Sequence, residues 1–568
     1  MSERLLLATT PERSRLMAKV RQTDTSTEQA VQTMVRSMGY RFSVKAKDLP
    51  GTPDIVNRSS RWAIFVHGCF WHAHDCHLWK LPRANREFWK VKFAANQKRD
   101  KTKRGELKRQ GYSVLTLWQC ELKDHSRIRT KLLKFLTANK RRRESISVVE
   151  PKGRELEGVL LSHEVFNERR TVSRTITRAD GSTFATRLDI PGRMSLAQDA
   201  HSVFDQAYLR SNKEVWHGPL RGSIRIADLF SGCGGLSLGA REASRAMGLQ
   251  FEPVLAIDED SASLEVYKKN FKPALAYNQD IWTLLTGEIR ARLQPEEKAL
   301  VNKLGTLDVL LAGPPCQGHS DLNNHTRRTD RRNKLYERVA RFAEVAEPIH
   351  IIVENVPTVV HGRDRALDNT VEELIRLGYK VNTGVVNLAA LGVPQHRKRH
   401  VLVASMKTSI SVSQGVENHT VSEERTARWA IGDLDRRRKN GKFDSSSVLH
   451  NDNLRRIDYL MKTGKYDLPN RLRPVCHQDE HSYVSMYGRL RYDEPAQTIT
   501  SGFGSPGQGR YIHPTCRRTL TPHEAARLQF LPDSFDFSAV KLRGSLANMI
   551  GNAVPMKLSY AITLELLG

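Results

Sequence analysis

The sequence predicts an α/β protein of several domains whose carboxyl half is a doubly wound parallel sheet. Three observations carry that expectation. Apolar runs of strand length at 224–229, 253–257, 307–311 and 349–353 alternate with helix-length segments, the pattern of strands joined by crossover helices. One run enters a glycine-rich turn, Ser231-Gly232-Cys233-Gly234-Gly235, and another a stiff Gly313-Pro314-Pro315-Cys316-Gln317-Gly318 loop. Open α/β sheets place their chemistry at these carboxyl ends of strands. The chain has 568 residues, enough for roughly two to four domains.

Composition narrows the partners. The formal charge is +28, and a protein this basic meets a polyanion most readily, nucleic acid first. A charge run on its own is also an ordinary solvated surface. No apolar run approaches the ~20 residues of a membrane span, and Met1-Ser2-Glu3-Arg4-Leu5 lacks the shape of a signal peptide. Seven cysteines in so long a chain make no disulfide framework. They point to a reducing cytoplasm, with thiols used for metal or catalysis.

Taken in order, residues 11–24 read as a loose polar arm, and Thr25-Ser26-Thr27-Glu28 as a capping box opening a helix that Gly39 stops. Pro53-Asp54-Ile55-Val56 and Arg61-Trp62-Ala63-Ile64-Phe65-Val66-His67 read as two strands of a hairpin. Asp54 at a bend, beside a strand ending in His67, suits an Mg²⁺ site that must also hold a phosphate. Pro-Asp also marks plain turns. Cys69, His74 and Cys76 fall close together, and Cys120 follows a strand over 113–118. Three thiolates and one imidazole make a closed, structural zinc site, with His72 and His77 as rival ligands. The aromatics Phe70, Trp71 and Trp89 lie among Lys and Arg, as core or as wedges for a base stack.

Residues from about 11 to 140 resemble the Vsr-type very-short-patch repair endonucleases, which nick DNA at T:G mismatches left by deaminated 5-methylcytosine. The resemblance rests on Thr27-Glu28, Pro50-Gly51-Thr52-Pro53-Asp54, His67-Gly68-Cys69-Phe70-Trp71-His72, Glu87-Phe88-Trp89 and Arg99-Asp100. It implies a restriction-endonuclease-like fold of the PD-(D/E)XK type. By this similarity Asp54 and the Val66 carbonyl bind Mg²⁺, and His72 is the general base. Glu28, His67 and Asp100 support the metal and its waters. Cys69, His74, Cys76 and Cys120 hold zinc, while Phe70, Trp71 and Trp89 wedge the mismatch open. Relatives commonly carry Thr where Val66 stands.

Residues 126–143 are strongly basic, a solvated linker or a track for DNA backbone. Farther on, the runs 171–178 and 183–190 flank Asp180-Gly181 as a β-hairpin. This stretch is read as a connecting module without assigned function. At Ile224 a new domain begins. A strand leads through Phe230 and the glycine turn into a helix, a geometry that receives a carboxylate or phosphate. The strand over 253–258 ends in Asp258, suited to ribose hydroxyls, and Asn278-Gln279-Asp280 offers a polar end that reads an adenine amino group. The strand over 349–353 ends in Glu354.

The order of these pieces is similar to that of DNA (cytosine-5) methyltransferases over residues 224–568. The motifs are Asp228-Leu229-Phe230-Ser231-Gly232-Cys233-Gly234-Gly235, Pro314-Pro315-Cys316-Gln317, Glu354-Asn355-Val356, Gln395-His396-Arg397-Lys398-Arg399, Thr521-Pro522-His523-Glu524 through Gln529, and Gly551-Asn552-Ala553-Val554-Pro555. The resemblance implies S-adenosylmethionine as cofactor, contacted by Phe230, Gly232, Gly235, Asp258, Glu259, Asp280 and Asn552. Carbon 5 of cytosine is too weak a nucleophile until a thiolate adds at carbon 6. Cys316 supplies that thiolate, Glu354 engages ring nitrogen 3, and Arg397 and Arg399 orient the base and its phosphate. The base must leave the duplex to be reached.

The domains expected are therefore 1–145, a zinc-containing endonuclease-like domain, and 146–222, the connecting module. Residues 223–404 and 486–568 form the methyltransferase catalytic domain, and 405–485 the target-recognition region, basic and suited to phosphates and guanine edges. Double-stranded DNA is the expected partner, the site of action the prokaryotic cytoplasm at the nucleoid, and the expected company mismatch-repair or restriction-system proteins. Three readings of the pair remain open on sequence alone. These are methylation with T:G nicking, a restriction–modification fusion cutting unmethylated paired DNA, and a methyltransferase with a non-catalytic DNA-binding appendage.

Overall fold

The computed structural model describes residues 26–37, 40, 42–44, 46, 49–58, 61–76, 79–82, 85–110, 112–123, 128, 131–132, 135–136, 159–178, 180–192, 194, 198–213, 215, 218–315, 334–361, 365–436, 441–478 and 485–568. It divides into two compact units, 1–154 and 155–568.

The first unit is a four-stranded sheet in the order β1 (Ser43–Val44), β2 (Ile55–Asn57), β3 (Trp62–His67) and β4 (Ser113–Trp118). The first three strands pair antiparallel, including the expected hairpin. β3 and β4 run parallel, which requires a crossover long enough to return the chain. A 24-residue helix supplies it, α2 (Arg86–Arg109). α1 (Ser26–Ser37) covers the face carrying Ile55, Trp62, Ile64 and Leu117. The opposite face buries Val56, Ala63 and Phe65 against Leu107 of α2. Strand alternation assigns these residues to the two faces. Thr25, the expected helix cap, lies outside the described residues.

The second unit is built on a seven-stranded sheet. Its order is β10 (Leu275–Tyr277), β9 (Gln250–Ile257), β8 (Ser223–Leu229), β11 (Val309–Ala312), β12 (His350–Asn355), β15 (Lys398–Ser405) and β13 (Lys380–Asn387). Both faces are covered by helices. α4 (Gly235–Ala246), α5 (Ser261–Phe271) and α12 (Lys557–Leu567) pack on one. α6 (Pro295–Leu304), α7 (Leu335–Ala346) and α8 (Ala366–Arg376) pack on the other. The sheet is doubly wound as expected, but not wholly parallel, since β15 pairs antiparallel with β12 and β13. The link from β13 to β15 holds only a 3-10 turn (Leu388–Leu391) and the two-residue β14 (Gln395–His396). It is too short for a crossover helix.

Two boundaries move. The stretch taken for a connector is a three-stranded antiparallel sheet, β5 (Leu160–Phe166), β6 (Thr171–Thr177) and β7 (Thr183–Asp189), with α3 (Ala200–Arg210). The hairpin is β6–β7, and Gly181 at φ +81° makes its turn. Val172, Ile176, Val203 and Phe204 share one apolar cluster with α4 and α12. This module is thus packed within the second unit. Within 405–485, Trp429 and Ile431 belong to that same large cluster. α9 (Asn451–Thr463) builds a small core of its own from Ile457 and Leu460 with Leu468, Tyr487 and Ile512. That small core reaches past 485. Among the described residues, no helix is long and apolar enough to cross a membrane.

Candidate active sites

In the first unit the expected side chains fall into two groups, Asp54 with Val66 and Glu28, and His67 with His72 and Asp100. The backbone N–H of Val66 donates to Asp54 Oδ2 at 2.7 Å, tying the carboxylate to the strand that ends in His67. Burial, with the charge of Glu28 adding to it, pushes Asp54 up to about 6. A buried acid with an acidic neighbour calls for a cation. His72 Nδ1 donates to Asp100 Oδ2 at 2.5 Å, fixing the tautomer that leaves Nε2 free to accept a proton. His67 and His72 stack with centroids 3.8 Å apart and planes 5° from parallel. Burial and the adjacent His72 push His67 down to about 3. His67 is therefore neutral at physiological pH.

The second cluster fits zinc. The donor atoms of Cys69, His74, Cys76 and Cys120 all lie within 4.8 Å of one another. Cys69 Sγ and Cys120 Sγ stand 3.6 and 3.5 Å from His74 Nδ1. Zinc with ordinary bond lengths to sulfur and nitrogen needs a tetrahedral edge of about 3.6 Å. Burial pushes the Cys69 thiol up to about 12 and raises Cys120 as well, so three thiolates coexist here only around a cation. The rival His72 is engaged with Asp100, and His77 lies outside the described residues. Phe70, Trp71 and Trp89 form one edge-to-face group with Phe93, and Lys92 lies 5.3 Å from the Trp89 ring.

In the second unit, β8 ends in a turn that takes Phe230 to φ +57° and Gly232 to φ +51°. A Cβ on Gly232 would meet nothing within 4 Å, whereas on Gly235 it would fall 2.3 Å from the Val554 carbonyl oxygen. The loop is open on its ligand side and tightly backed on the other. Asp258, at the end of β9, accepts from Gly232 N at 2.7 Å and Asp260 N at 2.8 Å. Asn278 donates to the carbonyls of Asp258 and Glu259. Glu259, Asp280 and Asn552 are exposed around this cradle. The open, acid-rimmed cradle suits a cofactor with a cationic centre, ribose hydroxyls and an adenine.

Beside it, β12 delivers Glu354, whose Oε1 lies 2.5 Å from Arg399 Nε. Asn355 Nδ2 donates to the Pro314 carbonyl at 3.3 Å, tying the base of the proline loop to the strand that carries Glu354. Cys316 lies outside the described residues. Arg397 departs from expectation. Its guanidinium is buried and donates to the carbonyls of Ile499 and Gly551, so it braces the backbone rather than facing a base or phosphate.

The C-5 cytosine-specific DNA methylase family matches residues 224–568. The chain belongs to that family. The Type II methyltransferase M1.BsuMI of Bacillus subtilis (strain 168) is 43% identical over 394 residues, 69% of this chain and 92% of the relative. That match is longer than 224–568, so it takes in residues before Ile224. The DNA mismatch endonuclease Vsr family matches residues 7–78. The Type II nicking enzyme V.XorIIP of Xanthomonas oryzae pv. oryzae is 45% identical over 137 residues, 24% of this chain and 98% of the relative. The same organism's Type II methyltransferase M.XorII is a separate relative, 29% identical over 370 residues, 59% of this chain and 82% of its own length. The protein is thus a fusion of a C-5 cytosine DNA methylase with a Vsr-type endonuclease.

Two features of the methylase half escaped the sequence. Asn355 had been only a motif letter, and its anchoring of Pro314 depends on the β11–β12 pairing. Asp228 accepts from Ser237 Oγ at 2.6 Å, and Ser237 meets Tyr267 OH at 2.7 Å. This buried chain ties the end of β8 to α4 and α5. A buried acid three positions before the turn was its one visible signal.

Proposed function

We propose that the two enzymes of this chain serve one DNA position in succession, the first making 5-methylcytosine and the second nicking where that base has deaminated to thymine opposite guanine. The observation that carries this reading is the presence, on one polypeptide, of a Glu354–Arg399 pair beside a cofactor cradle and, in the first unit, of Asp54 bonded to Val66 and a His67–His72–Asp100 cluster beside a thiol–imidazole cluster. In Xanthomonas oryzae a Type II nicking enzyme and a Type II methyltransferase similar to the two halves are separate chains, and the joining of the two here supports a shared target.

On this reading, S-adenosylmethionine supplies the electrophilic methyl group when bound. Phe230, Gly232 and Gly235 cradle it, and Asp258, Glu259, Asp280 and Asn552 fix its ribose and adenine. Cys316 adds to carbon 6 of the flipped cytosine, and Glu354, held by Arg399, hydrogen-bonds ring nitrogen 3 as charge develops there. Loss of the carbon 5 proton then expels Cys316. In the nuclease half, of restriction-endonuclease-like PD-(D/E)XK fold, Mg²⁺ supplies Lewis-acid stabilisation of the cleaved phosphate. Asp54 and the Val66 carbonyl would hold it, with Glu28 and His67 ordering its waters. His72, oriented by Asp100, takes the proton of the attacking water. Zinc at Cys69, His74, Cys76 and Cys120 stiffens the loop bearing His72, and Phe70, Trp71 and Trp89 enter the base stack at the mismatch.

A cleavage assay with Mg²⁺ on a duplex panel tests this. The panel holds T:G mismatches in the sequence the chain itself methylates, the paired unmethylated duplex, and the paired methylated duplex. Nicking of T:G alone is expected. Cutting of unmethylated paired DNA would make the chain a restriction–modification fusion. Cutting of none would leave the first unit a DNA-binding appendage.

A further inference from the structure

We infer that Trp118 is a positioning residue of the endonuclease, transmitting the geometry of the thiol cluster to the two active-site histidines. The indole stacks on His74, the imidazole of the cluster, with centroids 4.1 Å apart and planes 8° from parallel. Its other contacts are edge-on to the active-site pair, 5.4 Å from His67 and 6.3 Å from His72. One ring therefore separates the cluster from the stacked His67–His72 pair.

Trp118 itself has little freedom. It ends β4 directly opposite His67 in the parallel register. Its backbone N–H donates to Glu121 Oε2 at 2.9 Å, and Lys131 pairs with that same carboxylate. Two residues on, Cys120 N–H donates to Cys69 Sγ at 3.3 Å. The strand end and the cluster thus hold each other. Asp100 fixes the His72 Nδ1 edge, but a hydrogen bond at one atom leaves the ring free to pivot about it. Stacking on His67, with Trp118 behind, removes that pivot. Filling the cluster fixes His74, His74 fixes the face of Trp118, and the indole edge limits where His67 and His72 lie. Partners at this remove from a metal typically matter by about 10- to 100-fold.

This inference rests on the Vsr-type reading of His72, and its test separates the two. The full-length protein, labelled with 5-fluorotryptophan, gives one ¹⁹F signal for each of its eight tryptophans, and Trp118 is the one missing from Trp118→Phe. Zinc removal by a chelator should shift that signal. With ¹³C-labelled histidine, it should also shift the His72 signal, identified through His72→Gln. On a T:G duplex with Mg²⁺, Trp118→Ala should nick about 10- to 100-fold more slowly at saturating DNA, with DNA affinity and zinc content unchanged, and Trp118→Phe should recover most of the rate. A Trp118 signal indifferent to zinc removal overturns the inference. So does a Trp118→Ala protein that keeps its zinc and nicks at the wild-type rate. Should Trp118→Ala fail to fold, the spectra of the wild type and Trp118→Phe decide. If the wild type nicks no duplex, the endonuclease reading fails, while the zinc-dependent shifts still judge the coupling.

Discussion

Arg399 Nε stands 2.5 Å from Glu354 Oε1, with both side chains largely buried at the edge shared by β12 and β15. The pair depends on the one reversed strand of the sheet, which brings Arg399 back alongside Glu354. A charge-assisted contact of this kind aims a carboxylate as well as stabilising it. Arg399→Ala should reduce methyl transfer about 10²- to 10³-fold. Arg399→Lys should recover only part of the loss, because a lysine keeps the charge but not the fork. Transfer of labelled methyl groups to a substrate duplex measures both. Arg397→Ala should instead act through stability, seen as a lowered melting temperature.

Asp54 illustrates a function that opposes stability. Its folded value of about 6 lies above the ordinary 3.8. The folded state binds the proton more tightly than the unfolded state, so the first unit gains stability as pH falls from about 7 towards 4. At neutral pH and without Mg²⁺, the buried charge is a penalty of roughly 3 kcal/mol by that shift. Asp54→Asn should abolish nicking yet raise the melting temperature of the metal-free first unit by several degrees. Mg²⁺ should stabilise the wild type and leave the variant unmoved.

The thiol cluster should matter to one half only. Cys69→Ser or exhaustive chelation should lower the melting temperature of the first unit and abolish nicking, since structural zinc sites contribute folding energy outright. Methyl transfer should persist at the wild-type rate, because its residues all lie in the second unit.

Glycines on the cofactor loop are intolerant for a stated reason. A Cβ at Gly239 would fall 2.1 Å from the Met556 carbonyl oxygen, as one at Gly235 would against Val554. The obstacle is backbone, so neither site can yield cheaply. Gly235→Ala should weaken S-adenosylmethionine binding by at least tenfold in titration calorimetry. Gly239→Ala, one turn farther from the ligand, should destabilise the second unit by about 2 kcal/mol or more with a smaller effect on affinity.

Acid should unfold the second unit through Glu524. Burial alone would raise this carboxyl, but the bidentate Arg518 and His513 overcome it and hold the group at about 2. Its contribution is present above about 4.5 and is lost as pH falls towards 2. Glu524→Gln should lower stability at neutral pH by roughly 3 kcal/mol and flatten the acid limb of the denaturation curve.

Local patterns were legible in the sequence wherever one strand and its turn contained the whole signal. The glycine turn, Asp54 beside Val66, and the Cys69–His74–Cys76 run each lie within a short stretch of chain, and the structure places those residues near one another. What stayed hidden depends on pairings across the chain. The reversal of β15 hangs on the length of a connection, and the burial of Arg397 on carbonyls more than 100 positions away. The module at 160–210 read as a connector, because the sequence shows its hairpin but not what that hairpin packs against. Only packing shows that Val172 and Phe204 are core.

One contact also sets an order in time. Ser559 Oγ donates to the Leu236 carbonyl across 323 positions of chain, and α12 backs the helix that opens the cofactor loop. A ribosome therefore releases the backing of the methyl-donor pocket long after its glycine turn. The first unit, with its own apolar cores, emerges earlier and folds as domains generally do during synthesis. The apolar cores of the first unit thus leave the ribosome before the methyl-donor pocket can be backed.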